Sequence, residues 1–256
     1  DHVALALRAD CVLIAPSTAN TLAKLALGIT DDPLTATVLA TEAPVIVAPA
    51  MDADMFASPS TQRNVKTLIE HGVILVGPAE GRLASGLIGK GRLVETATLI
   101  GLVRQAIGRN GDYAGRHVIV SAGGTKQPID PVRFISNRST GKMGYAIAEA
   151  ARDRGADVTL VTASDLPAPS GVTVVNTSTV VDMRDAILPI SAHADLLVMA
   201  AAISDFTPTD VADQKIKKKG EGSISLELTK VEDFMPLAQG KNLVRVAFAA
   251  ETNNLE

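Results

Sequence analysis

The chain has 256 residues, enough for one large domain or two small ones with a substantial buried core. Aliphatic residues are abundant and aromatic residues make up only 3%, a mixture typical of packed α/β layers. The formal net charge of −4 argues against binding to nucleic acid or to an anionic membrane. No apolar run is long enough to span a bilayer, and the single cysteine, Cys11, excludes an intrachain disulfide. We therefore expect a reducing, cytoplasmic setting.

The first half alternates short apolar runs with amphipathic stretches, which predicts strands alternating with helices around a parallel sheet. The predicted strands are 10–15, 44–48 and 73–76, and the predicted helices are 19–28, 33–41, 60–71 and 96–107. Residues 31–33 form a predicted helix cap followed by a first-turn proline. The glycine-rich stretch 80–92 is predicted to be irregular. Because parallel strands end at one edge, three exits should lie together there: 16–21, 49–55 and 81–92.

A polar, glycine-rich linker at 108–115 separates this half from a second series of strands and helices. The later predicted strands are 117–121, 157–162, 172–176, 195–201, 224–228 and 243–249, and the helices are 142–154 and 180–190. The predicted fold class is thus α/β, with two consecutive doubly wound, Rossmann-like domains at 1–110 and 114–256. Since the sequence starts at Asp1 and stops just after an apolar strand pattern, we expect an internal fragment of a longer protein.

The long irregular stretch 121–144 leaves a buried strand and ends where an alanine-rich helix begins. It contains glycines, hydroxyl side chains, two prolines and arginine, and few residues that could build a core. Exposed backbone N–H groups at the start of a helix favour anions. A loop this long in a compact domain is usually functional, so the stretch predicts a phosphate-bearing ligand. An ordinary strand–loop–helix connection is the alternative.

Two further features of the second half bear on the ligand. The Gly123-Gly124 pair lacks the spacing of a dinucleotide-binding loop, and no acidic residue ends the second strand, so a plain NAD-binding site fits poorly. The basic cluster 215–219 begins with two lysines separated by one apolar residue, which could bring ammonium groups to phosphates. A solvated charged segment is the alternative for such a cluster.

Three segments of the first half, 2–10, 15–21 and 49–55, resemble the flavin-dependent cysteine decarboxylases, and among them phosphopantothenoylcysteine decarboxylase. The resemblance implies that FMN is held near Pro16, Ser17, Thr18, Ala19 and Ala50. It also implies that His2 is the catalytic base while the flavin oxidises the cysteinyl thiol to a thioaldehyde, after which the carboxylate leaves. A surface histidine at the start of the chain is the alternative for His2.

The chain departs from this family at two positions. Asp52 stands where the family commonly has the asparagine that binds the substrate carboxylate, and an ionised aspartate repels that group unless it is protonated or paired. Ser85 stands where the family has the cysteine that protonates the enethiolate product, and a hydroxyl is a far weaker acid than a thiol. We therefore expect a slow or altered decarboxylase half, unless the two changes compensate each other. Cys11 lies within a strand and is interpreted as a buried small hydrophobe.

Several segments of the second half look like phosphopantothenate–cysteine ligase: 123–125, 130–144, 201–205, 215–217 and 248–252. The order of the halves is that of the bifunctional decarboxylase–ligase enzymes of coenzyme A biosynthesis. The resemblance implies CTP as cosubstrate with Mg²⁺. CTP activates the carboxylate of 4′-phosphopantothenate as an acyl-cytidylate, and the amine of cysteine then displaces CMP.

The same resemblance implies roles for single residues of the second half. Asn137 handles the acyl-cytidylate, Arg133 binds phosphopantothenate, and Lys215 with Mg²⁺ offsets phosphate charge. The nucleotide is expected to contact Met199, Ala200, Ala201, Asp205, Lys215, Phe248 and Ala249. No protein ligands to a metal are predicted. Further lysines of the family fall beyond Glu256, so this chain by itself is expected to ligate poorly.

Two other functions stay open beside the bifunctional enzyme. The first is a non-catalytic flavoprotein that regulates a partner, which the changes at Asp52 and Ser85 favour and the ligase-like segments oppose. The second is a flavin decarboxylase acting on a C-terminal cysteine of a peptide, which the ligase-like half disfavours. The families also imply a homo-oligomer, because flavin sites form between decarboxylase subunits and ligase domains pair.

Overall fold

The computed structural model of the chain describes residues 1–217 and 223–249. The chain forms two compact units, the first from Asp1 to Gly108 and the second from Arg109 onward. The end of the predicted basic cluster, 218–219, and the predicted strand exit 250–253 lie outside the described residues. In the part of the chain that is described, no helix has both the length and the apolar character needed to cross a membrane.

The first unit is built on three parallel strands in the order β1-β2-β3. Its strands are β1 (Val12–Ser17), β2 (Val45–Pro49), β3 (Ile74–Leu75), β4 (Ala79–Arg82) and β5 (Ile88–Arg92), and its helices are α1 (His2–Arg8), α2 (Ala19–Leu27), α3 (Pro33–Ala40), α4 (Ala53–Ala57), α5 (Pro59–Glu70) and α6 (Thr96–Gly108). One core cluster joins Ile14 and Val47 of the sheet to Leu22 of α2 and Leu68 of α5. Because these apolar side chains form the core, the polar residues at the ends of the strands lie at the edge of the sheet.

The second unit contains a five-stranded parallel sheet in the order β10-β9-β6-β11-β14. Its strands are β6 (His117–Ala122), β7 (Lys126–Pro128), β8 (Phe134–Ser136), β9 (Asp157–Thr162), β10 (Thr173–Asn176), β11 (Leu196–Met199), β12 (Phe206–Pro208), β13 (Leu228–Lys230) and β14 (Val244–Ala247), and its helices are α7 (Lys142–Arg152) and α8 (Val180–Ser191). A short 3₁₀ turn covers Met235–Leu237.

Side chains of the central strand β6 alternate between two cores, as the two-residue period of a strand requires. Val118 and Val120 pack in a cluster with Tyr145 of α7. Ile119 packs in a second cluster with Met183 and Ile187 of α8. The two helices therefore cover opposite faces of this sheet, and the carboxyl ends of the strands are left for the loops.

The α/β class with parallel sheets is confirmed in the structure. The strand Asp157–Thr162 has the predicted bounds, and Asp32 caps α3 as predicted, because its Oδ1 accepts a hydrogen bond from the Thr35 N–H at 2.9 Å. Most other predicted ends are displaced by one or two residues, as is usual at frayed ends of elements. The displaced elements include α7, which ends at Arg152, and β11, which ends at Met199.

Four local predictions are wrong. The stretch 80–92 forms the antiparallel hairpin β4–β5, residues 53–57 form helix α4, and a second hairpin, β7–β8, interrupts 121–144. The strand expected at 224–228 lies at Leu228–Lys230, where it pairs with β12. These elements are too short or too glycine-rich for hydrophobic periodicity, and contacts with distant parts of the chain stabilise them.

Candidate functional sites

Three loops of the first unit meet at the carboxyl edge of its sheet. The Ala50 N–H donates to the Ser17 carbonyl at 3.0 Å, and the Met51 N–H donates to the Gly91 carbonyl at 3.0 Å. Ser17 and Pro49 are also register partners in the parallel pair β1–β2. The predicted meeting of these exits at one edge is therefore confirmed.

The exit of β1 carries an unsatisfied polar group. Ser17 is fully buried, and its Oγ has no hydrogen-bond partner among the described residues. Thr18 caps α2, because its Oγ1 accepts from the Thr21 N–H at 3.2 Å. Pro16 and Thr18 are exposed, while Ala19 and Ala50 are half-buried. A buried hydroxyl without a partner is unfavourable, so this edge is suited to a polar ligand.

His2 stands at the start of α1, a helix that packs against α3. Its imidazole is half exposed, and Nδ1 lies 3.9 Å from a carboxylate oxygen of Asp1. Among the described residues, no hydrogen bond joins His2 to the three exits. The structure thus leaves the predicted base accessible and without a hydrogen bond to the described loops that carry the other predicted residues of this unit.

Asp52 and Ser85 are carried by neighbouring elements. Asp52 caps the short helix α4, with its Oδ1 accepting from the Asp54 N–H at 3.4 Å. Ser85 is exposed in the turn that joins β4 to β5. The stem of this hairpin packs closely on the loop after β2, since a Cβ added to Gly91 would lie 2.1 Å from the Met51 carbonyl oxygen. Only glycine permits that approach of the two backbones.

In the second unit, the loop after β6 is joined to the loop after β11. The Ala202 N–H donates to the Gly123 carbonyl at 2.8 Å, and the Asn137 Nδ2 donates to the Ile203 carbonyl at 2.9 Å. Gly124 allows this contact, because a Cβ there would lie 2.6 Å from the Asn137 carbonyl oxygen. The structure therefore brings the predicted catalytic Asn137 beside the predicted nucleotide loop.

Buried hydroxyl groups, which the sequence interpretation missed, support the same loop. The Ser121 Oγ accepts from the Ala201 N–H at 3.0 Å, and the Thr125 Oγ1 accepts from the Ser204 N–H at 3.0 Å. Ser121, Thr125 and Ser204 are all buried. The sequence could have indicated these supporting residues through the hydroxyl side chains directly after a buried strand, because buried polar groups need hydrogen-bond partners.

The remaining predicted nucleotide residues lie around the end of β11. The Phe248 N–H donates to the Met199 carbonyl at 3.2 Å, which joins the ends of β11 and β14. The Phe248 side chain is half exposed, and Ala249 and Asp205 are exposed. Ala200 and Ala201 are partly buried between these residues and the sheet. The structure thus joins Met199 to Phe248 through their backbones, and the nucleotide-binding roles of Met199, Ala201 and Phe248 stay predictions.

Arg133 and Ile216, the residue after Lys215, are joined through Asp130, a residue that the sequence interpretation assigned no role. Asp130 is 2% exposed, and its Oδ2 accepts from Arg133 Nη1 at 2.9 Å and from the Ile216 N–H at 3.1 Å. The Arg133 guanidinium also donates to the Ile216 carbonyl at 3.2 Å. We call Asp130, Arg133 and Ile216 the Asp130 cluster.

The Asp130 cluster is stable as an ion pair at neutral pH. Burial raises the pKa of Asp130, but hydrogen bonds from the backbone N–H groups of Val132, Ile216 and Arg133, together with the Arg133 charge, outweigh it and lower the pKa. Because the pKa of Asp130 is lower in the folded state than in the unfolded state, the ionised carboxylate stabilises the folded state at pH values above the ordinary carboxyl pKa. That stabilisation is lost as the pH falls through the lowered value.

Residues 113–256, more than half of the chain, match the family model described as the DNA/pantothenate metabolism flavoprotein C-terminal domain. The chain belongs to this pantothenate flavoprotein family. Residues 1–108 match a second model, described as Flavoprotein. In the described part of the pantothenate flavoprotein chain, no group of three His, Cys, Asp or Glu residues is placed to hold a metal ion.

Matches to curated relatives extend over nearly the whole chain. The coenzyme A biosynthesis bifunctional protein CoaBC of Mycobacterium tuberculosis is 45% identical over 267 residues, which cover 99% of this chain and 64% of the relative. The protein of the same name from Bacillus subtilis is 42% identical over 261 residues, covering 100% of this chain and 64% of the relative. The chain therefore spans 64% of the length of these relatives.

A solved structure, the C-terminal domain of coenzyme A biosynthesis bifunctional protein CoaBC, is 34% identical, with a TM-score of 0.47 over 55% of this chain and 67% of that chain. The curated relatives confirm the resemblance to the bifunctional enzymes that the sequence segments indicate. The roles of His2, Asp52, Ser85, Asn137 and Lys215 stay predictions.

We expect Gly91→Ala to separate the β4–β5 hairpin from the loop after β2, because the new methyl group would overlap the Met51 carbonyl oxygen. Loss of the Met51–Gly91 hydrogen bond should make the Met51 amide exchange roughly tenfold faster, equivalent to about 1.4 kcal/mol. Hydrogen exchange read by mass spectrometry measures this. Lys90→Ala, at an exposed neighbouring position, is the matched control. Equal Met51 exchange in both variants would show that the close approach is unimportant.

Proposed function

We propose that the protein takes part in coenzyme A biosynthesis with two activities. The second unit joins 4′-phosphopantothenate to cysteine in a CTP-dependent reaction through an acyl-cytidylate. The first unit then decarboxylates 4′-phosphopantothenoylcysteine to 4′-phosphopantetheine with FMN. The observation that carries this proposal is the 45% identity to a coenzyme A biosynthesis bifunctional protein over 99% of the chain. The domains at 1–110 and 114–256 are proposed to be parts of the decarboxylase and the ligase.

The edge of the first sheet is chemically suited to FMN. The Ser17 Oγ is buried without a partner among the described residues, so a ligand atom that bonds to it would remove an unfavourable group. The residues proposed to hold FMN are Pro16, Ser17, Thr18, Ala19 and Ala50. When bound, FMN supplies the two-electron oxidation of the cysteinyl thiol that makes loss of the carboxylate feasible.

His2 and Asp52 are proposed to act on the substrate. The half-exposed imidazole of His2 is proposed to accept the thiol proton, a common role of histidine in general acid–base catalysis. Asp52 lies at the start of α4, beside the hairpin that carries Ser85. An ionised Asp52 would repel the substrate carboxylate, so binding there requires a proton or a cation.

In the second unit, the chemistry is the attack of a carboxylate on the α-phosphate of CTP. Both groups are negative, so the reaction needs cations at the loop after β11. Lys215 is proposed to supply one positive charge. Mg²⁺ is proposed to supply the other, held mainly by the phosphates of the nucleotide, which explains why no all-protein ligand set is needed. Asn137, fixed by the Ile203 carbonyl, is proposed to orient the acyl-cytidylate for attack by the cysteine amine.

Two departures from the family favour a second candidate function for the first unit. Asp52 and Ser85 both replace residues that the family uses on the substrate, which favours a non-catalytic flavoprotein or a decarboxylase that stops at the enethiol. A homo-oligomer is also proposed from the family resemblance. The first two experiments below separate these functions of the first unit, the third tests the second unit, and all three use the complete gene product.

We expect His2→Asn to slow decarboxylation at least about 100-fold, because no other group would remove the thiol proton, while FMN remains bound. The measurement is carbon dioxide release from 4′-phosphopantothenoylcysteine, with bound flavin followed by its absorbance. His71→Asn, at the exposed end of α5, is the control and should keep the rate. If His2→Asn also keeps the rate, His2 is not the base. If the unsubstituted protein binds FMN but releases no carbon dioxide, the regulatory function is favoured.

We expect Ser85→Cys to increase the share of saturated 4′-phosphopantetheine among the products, because a thiol with a pKa of about 8.5 is a much better proton donor than a hydroxyl. Mass spectrometry distinguishes the saturated product from the enethiol, which is two hydrogens lighter. Ser85→Ala is the matched control and should leave mainly enethiol. A fully saturated product from the unsubstituted protein would mean that another group protonates the enethiolate.

We expect Asn137→Ala to lower CMP formation about 100-fold in the presence of CTP, 4′-phosphopantothenate and cysteine. The reason is the loss of a side chain that is fixed beside the proposed nucleotide loop by the Ile203 carbonyl. Asn176→Ala, at the exposed end of β10, is the control and should retain the rate. Normal CMP formation by Asn137→Ala would remove this residue from the proposed reaction. No CMP from the unsubstituted protein would contradict the ligase activity itself.

A further inference from the structure

The Asp130 cluster restrains a segment that is distant in sequence. The Ile216 N–H belongs to the peptide group that follows Lys215, and the Ile216 carbonyl belongs to the peptide group that precedes Lys217. Asp130 Oδ2 accepts from the first group at 3.1 Å, and Arg133 donates to the second at 3.2 Å. Because peptide groups are planar, bonds to both of them limit the orientation of the backbone at Ile216.

Besides the Asp130 cluster, the Ala212 N–H holds the start of this segment by donating to the Ile129 carbonyl at 3.0 Å, and Ile216 is half-buried. Residues 213–217 form neither helix nor strand, and Lys215 and Lys217 are exposed. Within these described residues, each hydrogen bond goes to Asp130 or Arg133. The Asp130 cluster therefore holds the backbone on the carboxyl side of Lys215.

Asp130 is itself rigidly placed. Its Oδ1 accepts from the Val132 and Arg133 N–H groups, both at 2.8 Å, which forms an Asx-type turn between β7 and β8. Together with the two bonds to Oδ2, the buried carboxylate accepts four hydrogen bonds and faces the Arg133 charge. A carboxylate can accept all four bonds. An amide replaces one acceptor oxygen by a donor and cannot.

We propose that Asp130 is a positioning residue of the second unit. Together with Arg133, Asp130 holds the backbone of Ile216 and thereby places Lys215 where it can contact the phosphates. This inference rests on the proposed ligase function for the role of Lys215. It also gives Arg133 a second task beside the predicted binding of phosphopantothenate. Asp130 acts through Lys215 and is not proposed to touch the substrate.

The first test measures the cluster directly, without any reaction. Hydrogen exchange of the Ile216 amide is compared between the complete gene product and its Asp130→Asn variant. We expect exchange to become roughly tenfold faster, because the side-chain amide introduced by this substitution would face the Ile216 N–H and Arg133 with a donor. Asp165→Asn, which removes a carboxylate that is 99% exposed, is the control and should change nothing at Ile216. Unchanged Ile216 exchange in Asp130→Asn would overturn the inference.

The second test is a double-mutant cycle on CMP formation. Asp130→Asn and Lys215→Ala should each lower kcat roughly 10- to 100-fold, since a small displacement of a catalytic group is enough for such a loss. If Asp130 acts through Lys215, the double variant should be no slower than Lys215→Ala alone. Losses that multiply in the double variant would assign Asp130 a separate, purely structural role and would overturn the inference.

Two controls distinguish failure of the inference from an unfolded variant and from the absence of the proposed ligase activity. Exchange at the core positions Val118 and Leu160 reports whether the second unit stays folded. If Asp130→Asn unfolds it, Asp130→Glu replaces it in both tests, because it keeps the charge and displaces the carboxylate by one methylene. If the unsubstituted protein forms no CMP, the ligase activity is contradicted. The Ile216 exchange result then still decides whether Asp130 positions the lysine segment.

Discussion

Just past the ends of buried parallel strands, backbone N–H and carbonyl groups no longer bond to a neighbouring strand. They must find other partners, because an unpaired buried N–H or carbonyl is strongly unfavourable. In the first unit, this requirement joins Ala50 to Ser17 and Met51 to Gly91. In the second, Ala202 bonds to Gly123. The loops at each sheet edge are thereby held at fixed distances from one another. Each candidate site depends on these few bonds more than on any single functional side chain.

Glycine makes the bonded loops geometrically feasible. At Gly91 and Gly124, an added Cβ would lie 2.1 and 2.6 Å from a backbone carbonyl oxygen of the facing loop. At Gly91, the backbone cannot retreat without breaking its hydrogen bond with the Met51 N–H. The glycines of 80–92 and 121–144 therefore bring two backbones close together, and the side chains on either side are presented at the edge of the sheet.

The two candidate sites use different means to place polar groups. At the first, the Ser17 hydroxyl is buried without a partner in the described part of the chain, which leaves a bond for a ligand. At the second, several buried groups are paired: Asp130 accepts four hydrogen bonds, and Ser121 and Thr125 each accept one from the loop after β11, whereas the buried Gln127 Nε2 of β7 has no partner among the described residues. A paired network gives rigidity, which suits a site that must align two negatively charged reactants.

Much of the framework was predictable from the sequence. The strand 157–162 is rich in Val and Thr, which favour strands, and the Asp32–Pro33 cap has a local chemical cause, so both were predicted correctly. The alternation of strands and helices was enough to predict parallel sheets with three exits at one edge. The family segments also indicated the resemblance that the curated relatives confirm. These features depend on neighbours along the chain or on a repeating pattern.

The hairpins β4–β5 and β7–β8 were not predictable, because neither has a hydrophobic period. The first packs through the backbone of its glycines, and the strands of the second are joined by a turn that bonds to the Asp130 side chain. Asp130 was missed for a similar reason. Its role arises from Ile216, 86 residues further along the chain, and only folding brings the two together. The sequence by itself determined the strands of the two parallel sheets, most of the helices and the family. Only the tertiary structure decided which loops bond to one another, because those bonds join groups that are far apart in the sequence.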